Sequence, residues 1–458
     1  SGVMAAVAQD LIASSEHRVV VGLGLTGLSC ARHLYRQGQA FSVVDTRIQP
    51  PGLESLKREM PDIQVFAGVY PADLLQEASE LVVSPGIALD DPVLASAREA
   101  GVAIVGDIDL FMREAQAPVI GITGSNAKST VTELVGRMAR EAGLDAGVGG
   151  NLGTPALDLL APERDLYVLE LSSFQLERAG NLGLSVATVL NVSADHLDRH
   201  GTLPAYHRAK HRIFHGCGAA VVNRDDPLTV PLVPEEVRVV SWRMAEPELD
   251  GFGLRFIEGR ETLCHDFEPL LAVDELGLVG RHNVANALAA LAVGHAAGLD
   301  RTLMAQSLRT FSGLPHRCQL VAEIAGVRFV DDSKGTNVGA TNAALAGLGG
   351  DRNVVLIAGG QGKGADFGQL REAVARHCKL LVLIGEDAPA MAQSLGTVVT
   401  AVHADSMDTA VKLAAQHAVP GDTVLLSPAC ASFDMFTGYV ARGLAFGASV
   451  AGLQEGES

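Results

Sequence analysis

Val119-Ile-Gly-Ile-Thr-Gly-Ser-Asn-Ala-Lys-Ser-Thr-Val131 decides how the rest of the chain is read. Its apolar start has the composition of a buried strand, which breaks at Thr123-Gly124. A lysine and two hydroxyls follow, and then Val131, Leu134, Val135 and Met138 fall on one helix face. A strand that runs through a short polar loop into a helix N-terminus makes a phosphate cradle. Backbone N–H groups and the helix dipole face the anion, Lys128 adds a point charge, and a hydroxyl can hold magnesium. The residues of this loop are Gly124, Ser125, Asn126, Ala127, Lys128, Ser129 and Thr130. Ala127 stands where such loops normally carry their last glycine. Nucleoside triphosphate chemistry is the first expectation.

Outward from this loop, 458 residues suggest roughly two to four domains. Fifty glycines, 48% apolar residues and only 4% aromatics suit alternating strands and helices. No apolar run reaches the length of a membrane span and no signal peptide pattern is visible, so a cytoplasmic protein without membrane insertion is expected. The six cysteines are scattered with no CxxC pair, which fits reduced thiols rather than a disulfide framework. A net charge of −18 argues against nucleic acid or an anionic membrane as partner. Any anionic substrate must then be held by local positive groups against the global field.

Three sections separate, at 1–106, 107–312 and 313–458. Each alternates short Val/Ile/Leu runs with amphipathic segments, which predicts an α/β protein of parallel sheets with helical crossovers. In the third section strands are expected at Asn353–Ala358, Leu380–Ile384 and Thr423–Leu426.

Near the start, Gly22-Leu-Gly24-Leu-Thr-Gly27 follows the strand Arg18-Val-Val-Val and opens a helix, and Asp45 ends the next strand. This is the dinucleotide fingerprint in spacing and context, and taken alone it suggests NAD. The glycines require only a tight turn and close approach of a diphosphate, which a UDP-sugar also has. Thr46-Arg47 and Val83-Ser84-Pro85-Gly86 lie at other strand ends of the same section. A glycine turn that merely packs helix on strand is the alternative.

The second section holds candidate metal ligands. Glu170 ends the apolar run Leu166-Tyr-Val-Leu, where a carboxylate is costly unless it is paired or ligates a cation. Asp195-His196 ends another strand-like run, and Lys210 lies on a helical stretch at Ala205–Phe214. Ser129 and Glu170 are hard oxygen donors suited to magnesium beside phosphates. A rival zinc reading rests on His207, His211 and His215 at i, i+4 and i+8, but no HExxH-type glutamate lies between them.

These pieces occur in the order seen in the Mur ligases. To the phosphate loop add Gly149-Gly-Asn151-Leu-Gly153, Leu169-Glu-Leu-Ser-Ser-Phe-Gln-Leu-Glu177, Asn191-Val-Ser-Ala-Asp-His196 and Gly280-Arg-His-Asn283-Val-Ala-Asn286. Leu314-Pro-His-Arg317, Asp331-Asp-Ser-Lys334-Gly-Thr-Asn337, Gly359-Gly-Gln-Gly-Lys363 and Leu426-Ser-Pro-Ala-Cys-Ala-Ser432-Phe-Asp434 follow. The chain resembles that family over nearly its whole length. The Asp-Ser-Lys and Ser-Pro-Ala-Cys-Ala-Ser-Phe-Asp blocks point to the member that adds D-glutamate.

The resemblance implies a Rossmann-like N-terminal domain, a central P-loop ATPase-type domain and a Rossmann-like C-terminal domain. It implies ATP and two Mg2+ ions (Mn2+ as a substitute), and UDP-N-acetylmuramoyl-L-alanine and D-glutamate as substrates, with the protein a monomer. Residue by residue, it gives Lys128 to the phosphates, Ser129 and Glu170 to a first magnesium, and His196 and Lys210 to a second. In this family the lysine matching Lys210 is carbamylated, which turns a cation into a carboxylate-like ligand. Asn283, His316, Arg317 and Asp332 are implied to contact ATP. Lys334, Thr336, Lys363, Ser432 and Phe433 are implied to form the amino-acid pocket. Asn151 and Ser173 match the muramoyl–alanine end, and Leu25, Thr26, Asp45, Thr46, Arg47 and Gly86 the uridine and diphosphate. The third section is implied to close over the second, with a hinge expected near Gly313-Leu314-Pro315.

The chain departs from the family pattern at Ala127, Gly335 (Ala expected) and Gln361 (Asp expected), and Tyr439 stands where an aromatic often closes the amino-acid site. An alanine at 127 is harmless if its φ is negative and costly otherwise. Two other classes stay open at this point. An NAD-dependent oxidoreductase would leave the phosphate loop, Glu170 and Lys210 without roles. A nucleotide-sensing protein without turnover would keep the fold alone.

Overall fold

The computed structural model describes residues 16–151, 153–192 and 203–455. The expected Asp195 and His196 lie outside the described residues. Among those described, three α/β sheets follow one another along the chain.

The first sheet has the order β3-β2-β1-β4-β5, with β1 at Arg18–Val21, β2 at Phe41–Asp45, β3 at Val65–Ala67, β4 at Glu80–Val83 and β5 at Ala103–Val105. All its pairs are parallel. Val19, Val20 and Val21 are wholly buried, as an apolar run covered on both faces by helices must be. The chain turns from one side of β1 to the other between β3 and β4. The crevice at the carboxyl ends of β1 and β4 is therefore the switch point where such sheets bind ligands. Helix α1, Leu25–Arg36, starts directly above it.

The second sheet has nine strands, ordered β14-β13-β12-β11-β10-β9-β6-β8-β7. Its centre is β6, Val119–Thr123, flanked by β8, Leu166–Glu170, and β9, Val186–Val189, both parallel to it. Beyond β8 lies β7, Ala146–Gly150, and beyond β9 come β10, Ala219–Asn223, and β11, Arg238–Trp242. The outer strands β12 (Phe252–Ile257), β13 (Arg260–His265) and β14 (Glu268–Ala272) depart from the expected helical crossovers. Only Glu258-Gly259 joins β12 to β13, and both have positive φ, 52° and 79°. That is the two-residue hairpin geometry whose twist matches flanking strands. Ala325-Gly326, at φ 52° and 79°, does the same between β15, Gln319–Ile324, and β16, Val327–Asp331. Glu and Ala are not the residues that announce such turns, so sequence gave no warning of either hairpin.

The third sheet runs β15-β16-β20-β17-β18-β19, antiparallel only at β15–β16. Its expected strands appear as β17 at Val354–Gly359, β18 at Cys378–Ile384 and β20 at Thr423–Leu426, with β19 at Ala401–His403 on the edge. The helical stretch expected at Ala205–Phe214 is α-helical over Leu203–His211 and then tightens to a 3-10 turn at Arg212–Phe214. His215 therefore leaves the helical phase that aligned it with His207 and His211. The His211 ring Nε2 donates to the Leu228 carbonyl at 2.6 Å, and the zinc reading loses its geometry.

The described chain forms two compact units. One holds the residues up to Arg255 with Leu263–Leu270 and Leu288–Ser307, the other Phe256–Thr262, Leu271–Ala287 and Leu308 onward. All six cysteines are buried and free. Burial raises their thiol pKa values, up to about 12 for Cys378 and Cys430. Among the described residues no helix is long and apolar enough to cross a membrane.

Candidate functional site

The phosphate loop leaves β6 with Gly124 at φ 157° and enters helix α2, Lys128–Glu141. Asn191, just past β9, holds the loop from below. Its Oδ1 accepts from Asn126 N at 2.8 Å, its Nδ2 donates to Asn126 O at 3.2 Å, and its carbonyl accepts from Ser125 N at 3.1 Å. Tyr206, wholly buried, places its hydroxyl 3.1 Å from Ser125 Oγ. Ala127 sits at φ 67°, ψ 7°, the left-handed conformation that a Cβ disfavours by about 1 kcal/mol. The missing glycine therefore carries a cost, because the loop keeps its shape and the alanine bears the strain.

Ser129 Oγ donates to Glu170 Oε2 at 2.8 Å. Glu170 is 3% exposed at the end of β8, and its other oxygen, Oε1, is buried with no hydrogen-bond partner among the described residues. An unsatisfied buried carboxylate oxygen costs free energy. A hydroxyl and a carboxylate presented together are the donor set of a hard divalent cation beside phosphates, so Ser129 and Glu170 fit magnesium. Lys210 lies on α4, Leu203–His211, fully buried with Nζ 4.5 Å from the centre of the Tyr206 ring. (Helix α3 is Ser173–Arg178.) A buried ammonium is expensive, which is the setting in which a carbamylated lysine makes chemical sense.

Beside this loop, Asn151 N donates to the Glu170 carbonyl at 2.8 Å, and Asn151 itself is exposed. Ser173 is buried at the start of α3. The preceding Ser172 forms a capping box with Gln175, whose Nε2 donates to Asp107 Oδ2 at 3.1 Å. Burial pushes the Asp107 carboxyl up to about 6, and its Oδ1 has no partner among the described residues. Sequence reasoning missed Tyr206, the role of Asn191 and the Asp107–Gln175 link.

In the first sheet the glycine fingerprint divides into two jobs. A Cβ on Gly27 would fall 1.8 Å from the Gly22 carbonyl oxygen, so Gly27 serves helix–strand packing. A Cβ on Gly24 or Gly86 would meet nothing within 4 Å. These two line the open crevice where a diphosphate could approach the backbone. Asp45 is 3% exposed, and its carboxylate accepts from Leu23 N at 2.8 Å and from Arg47 N, Nε and Nη2. Burial pushes this carboxyl up, but the bonds from Arg47 and Leu23 outweigh it and hold Asp45 below its ordinary value. Asp45 thus fixes the turn after β1 and presents Arg47; Thr46 lies between them, and Leu25 and Thr26 start α1, Leu25 being 66% exposed.

The second unit gathers the remaining candidates around β16 and β20. Asn283 opens helix α5, Arg281–Ala296; its amide donates to Val279 O and accepts from Asn286. His316, at φ 64°, holds Asp331 Oδ2 through Nδ1 at 2.7 Å, and its carbonyl accepts from Lys334 N at 2.9 Å. Arg317 follows it, half-buried. Asp332 accepts from Cys318 N and from Ser427 Oγ at 2.7 Å, and burial raises its carboxyl to about 6. Lys334 Nζ lies 5.7 Å over the Tyr439 ring at the start of the last helix, and Thr336 follows on the exposed turn. (Helix α6 is Val338–Leu348, α7 Ala388–Leu395 and α8 Tyr439–Glu455.) Arg442 of α8 is 1% exposed and donates to Ser333 Oγ, Ser333 O and Cys430 O. The last helix thereby ties the Lys334 loop to the segment leading to buried Ser432 and exposed Phe433. Gln361 pairs through its backbone with Ala431, both bonds 2.9 Å, so this position can change side chain without loosening the loop. Lys363, two residues on, is exposed at φ 51°.

Fold and site together define a protein of three successive α/β sheets whose central sheet carries a phosphate-type loop beside a hard-cation donor pair. Residues 16–106 match the N-terminal domain of Mur ligase MurD-like proteins, 122–294 the Mur ligase middle domain and 316–430 the glutamate ligase domain of Mur ligases. The chain belongs to the Mur ligase family. It is 54% identical over 446 residues to the UDP-N-acetylmuramoylalanine–D-glutamate ligase of Pseudomonas putida, covering 97% of this chain and 99% of that one. It is also 54% identical to the enzyme of the same name from Pseudomonas aeruginosa, over 96% of this chain and 99% of that one. Among solved structures, MurF ligase from Thermotoga maritima in complex with ADP shares the fold at TM-score 0.56 and 18% identity, with 97% of this chain and 96% of that chain covered.

Proposed function

We propose that this Mur ligase joins D-glutamate to UDP-N-acetylmuramoyl-L-alanine at the expense of ATP, in peptidoglycan precursor synthesis in the cytoplasm. The observation that carries the chemistry is the Ser129–Glu170 pair with its buried unsatisfied oxygen, set beside the phosphate loop. The near full-length relationship to two ligases of that name supports the substrates. In this reading the sections 1–106, 107–312 and 313–458 serve the UDP end, ATP and D-glutamate.

A carboxylate is a poor electrophile, and transfer of the γ-phosphoryl group to the muramoyl–alanine carboxylate converts one of its oxygens into a leaving group. The amine of D-glutamate then displaces phosphate. Lys128 and the backbone N–H groups at the start of α2 hold the transferring phosphoryl oxygens. Ser129 and Glu170 hold one magnesium ion; Lys210, carbamylated, and His196 hold a second, with Mn2+ able to replace either. Bound magnesium supplies charge neutralisation among the crowded anions. Asn151 and Ser173 place the muramoyl–alanine end. Gly24 and Gly86 let the diphosphate approach the backbone, and Leu25, Thr26, Asp45, Thr46 and Arg47 surround the uridine end. Asn283, His316, Arg317 and Asp332 contact the nucleotide. Lys334, Thr336, Lys363, Ser432 and Phe433 hold the amino acid, whose two carboxylates need the lysines. The protein acts as a monomer.

A coupled phosphate-release assay with D-Glu, L-Glu, L-Ala and meso-diaminopimelate tests this reading. Release with D-Glu alone is expected. Equal release with another amino acid, or reduction of a nicotinamide, would overturn it.

A further inference from the structure

The loop Gly359-Gly360-Gln361-Gly362-Lys363-Gly364 has four glycines in six residues. Such a segment loses more conformational entropy on ordering than ordinary chain, so it does not hold a lysine in place unaided. The turn that follows β18, Gly385-Glu386-Asp387, supplies the restraint. Asp387 accepts from Gly362 N through Oδ2, and its own N–H donates to the Gly360 carbonyl at 2.9 Å. Glu386 N donates to Asp434 Oδ2 at 2.8 Å, which ties the same turn to the Ser432–Phe433 segment. Gly385 sits at φ 81°, where a Cβ would fall 2.6 Å from Asp434 Oδ2 and 2.7 Å from Gly360 Cα, so the two loops and the turn pack with no room for a side chain. Asp387 also occupies the N-cap position of α7, where an aspartate ordinarily caps its own helix. Here its side chain makes no cap hydrogen bond. The carboxylate is turned away from the helix and onto the glycine loop.

We propose that Asp387 is a positioning residue for amino-acid recognition, with Asp434 as its counterpart on the other loop. Asp387 sets the backbone from which Lys363 reaches a carboxylate of D-glutamate, and Asp434 keeps the Ser432 segment in register with it. This rests on the function proposed above.

Steady-state kinetics of the full-length protein, with each substrate varied in turn, test the proposal. Asp387→Ala is expected to raise KM for D-glutamate about tenfold or more, since a misplacement of an ångström can cost that much. KM for ATP and for the UDP substrate should stay within about twofold, as should the change expected of a residue outside their sites. Asp387→Asn keeps an oxygen that accepts from Gly362 N and is expected to return KM for D-glutamate to within about threefold of the parent, a neutral acceptor being weaker than a charged one. Asp434→Ala gives the same selective rise and carries the test should Asp387→Ala not fold. Unchanged KM for D-glutamate in both alanine variants overturns the proposal, as does a parallel rise in all three KM values. A parent protein that shows no D-glutamate-dependent phosphate release sinks the function reading instead.

Discussion

Ala127 holds a left-handed backbone that the loop demands and its side chain resists. Ala127→Gly should remove that strain, partly offset by the greater freedom of glycine in the unfolded chain, for a net gain of about 0.5–1 kcal/mol. Denaturant unfolding of the two proteins measures it, and a loss of stability would mean the surrounding loop prefers the methyl group. At Lys210 the competing readings differ in the sign of charge. As a carbamate it contributes negative charge next to the phosphates. Lys210→Ala should then fold normally, lose most activity and recover part of it in high acetate or formate. Lys128→Ala, which removes a positive group that follows the phosphoryl oxygens, should lose roughly 100- to 1000-fold in rate and gain nothing from those acids. An active Lys210→Ala variant would sink the carbamate.

Loops between elements show where local reading ends. Strand β6, the phosphate loop and the carboxylate ending β8 were legible because each signal is local: the first two lie within Val119–Thr130, and the third within the short apolar run Leu166–Glu170. Asn191 and Tyr206 were not, because they act on the phosphate loop from 65 and 81 residues away. The left-handed cluster of His316, Cys318, Lys363 and Ala429 also gave no sign, since none is a glycine. The Asp331–Lys334 segment yields a prediction of its own. Gly335 stands where a Cβ would lie 2.7 Å from both Asp332 Oδ2 and Ser427 Oγ. Gly335→Ala should therefore destabilise the protein by about 1–3 kcal/mol, as overpacking does. The alanine expected from the family pattern would need this pair to move apart. Asp332 also makes stability depend on pH. Its carboxyl is raised from 3.8 to about 6 in the fold, so the folded state binds the proton first and this group adds stability as pH falls. Between pH 7 and pH 5 the parent should gain about 1 kcal/mol relative to Asp332→Asn. A difference that is flat across that range would show the carboxyl titrates normally.

At the scale of the whole molecule, the residues assigned to the phosphates and magnesium, Lys128, Ser129 and Glu170, belong to one compact unit and those assigned to the amino acid to the other. ATP hydrolysis should therefore require both co-substrates, and small-angle scattering should record a smaller radius of gyration when all ligands are bound. Rapid hydrolysis of ATP alone would contradict the first expectation, and an unchanged radius would contradict the second. The six buried thiols give access to a different property of the chain. Cys30, Cys217 and Cys264 belong to one unit and Cys318, Cys378 and Cys430 to the other, and burial keeps the sulfurs protonated and shielded. A thiolate reagent can reach each one only after its surroundings open. Labelling at a single sulfur is therefore a clock on the opening of its own unit, with three such clocks in each. Saturating D-glutamate should slow the clocks of the unit that holds Lys334, Lys363 and Ser432 more than those of the other, so that mass spectrometry of the labelled protein can time the breathing of each unit without introducing a new residue.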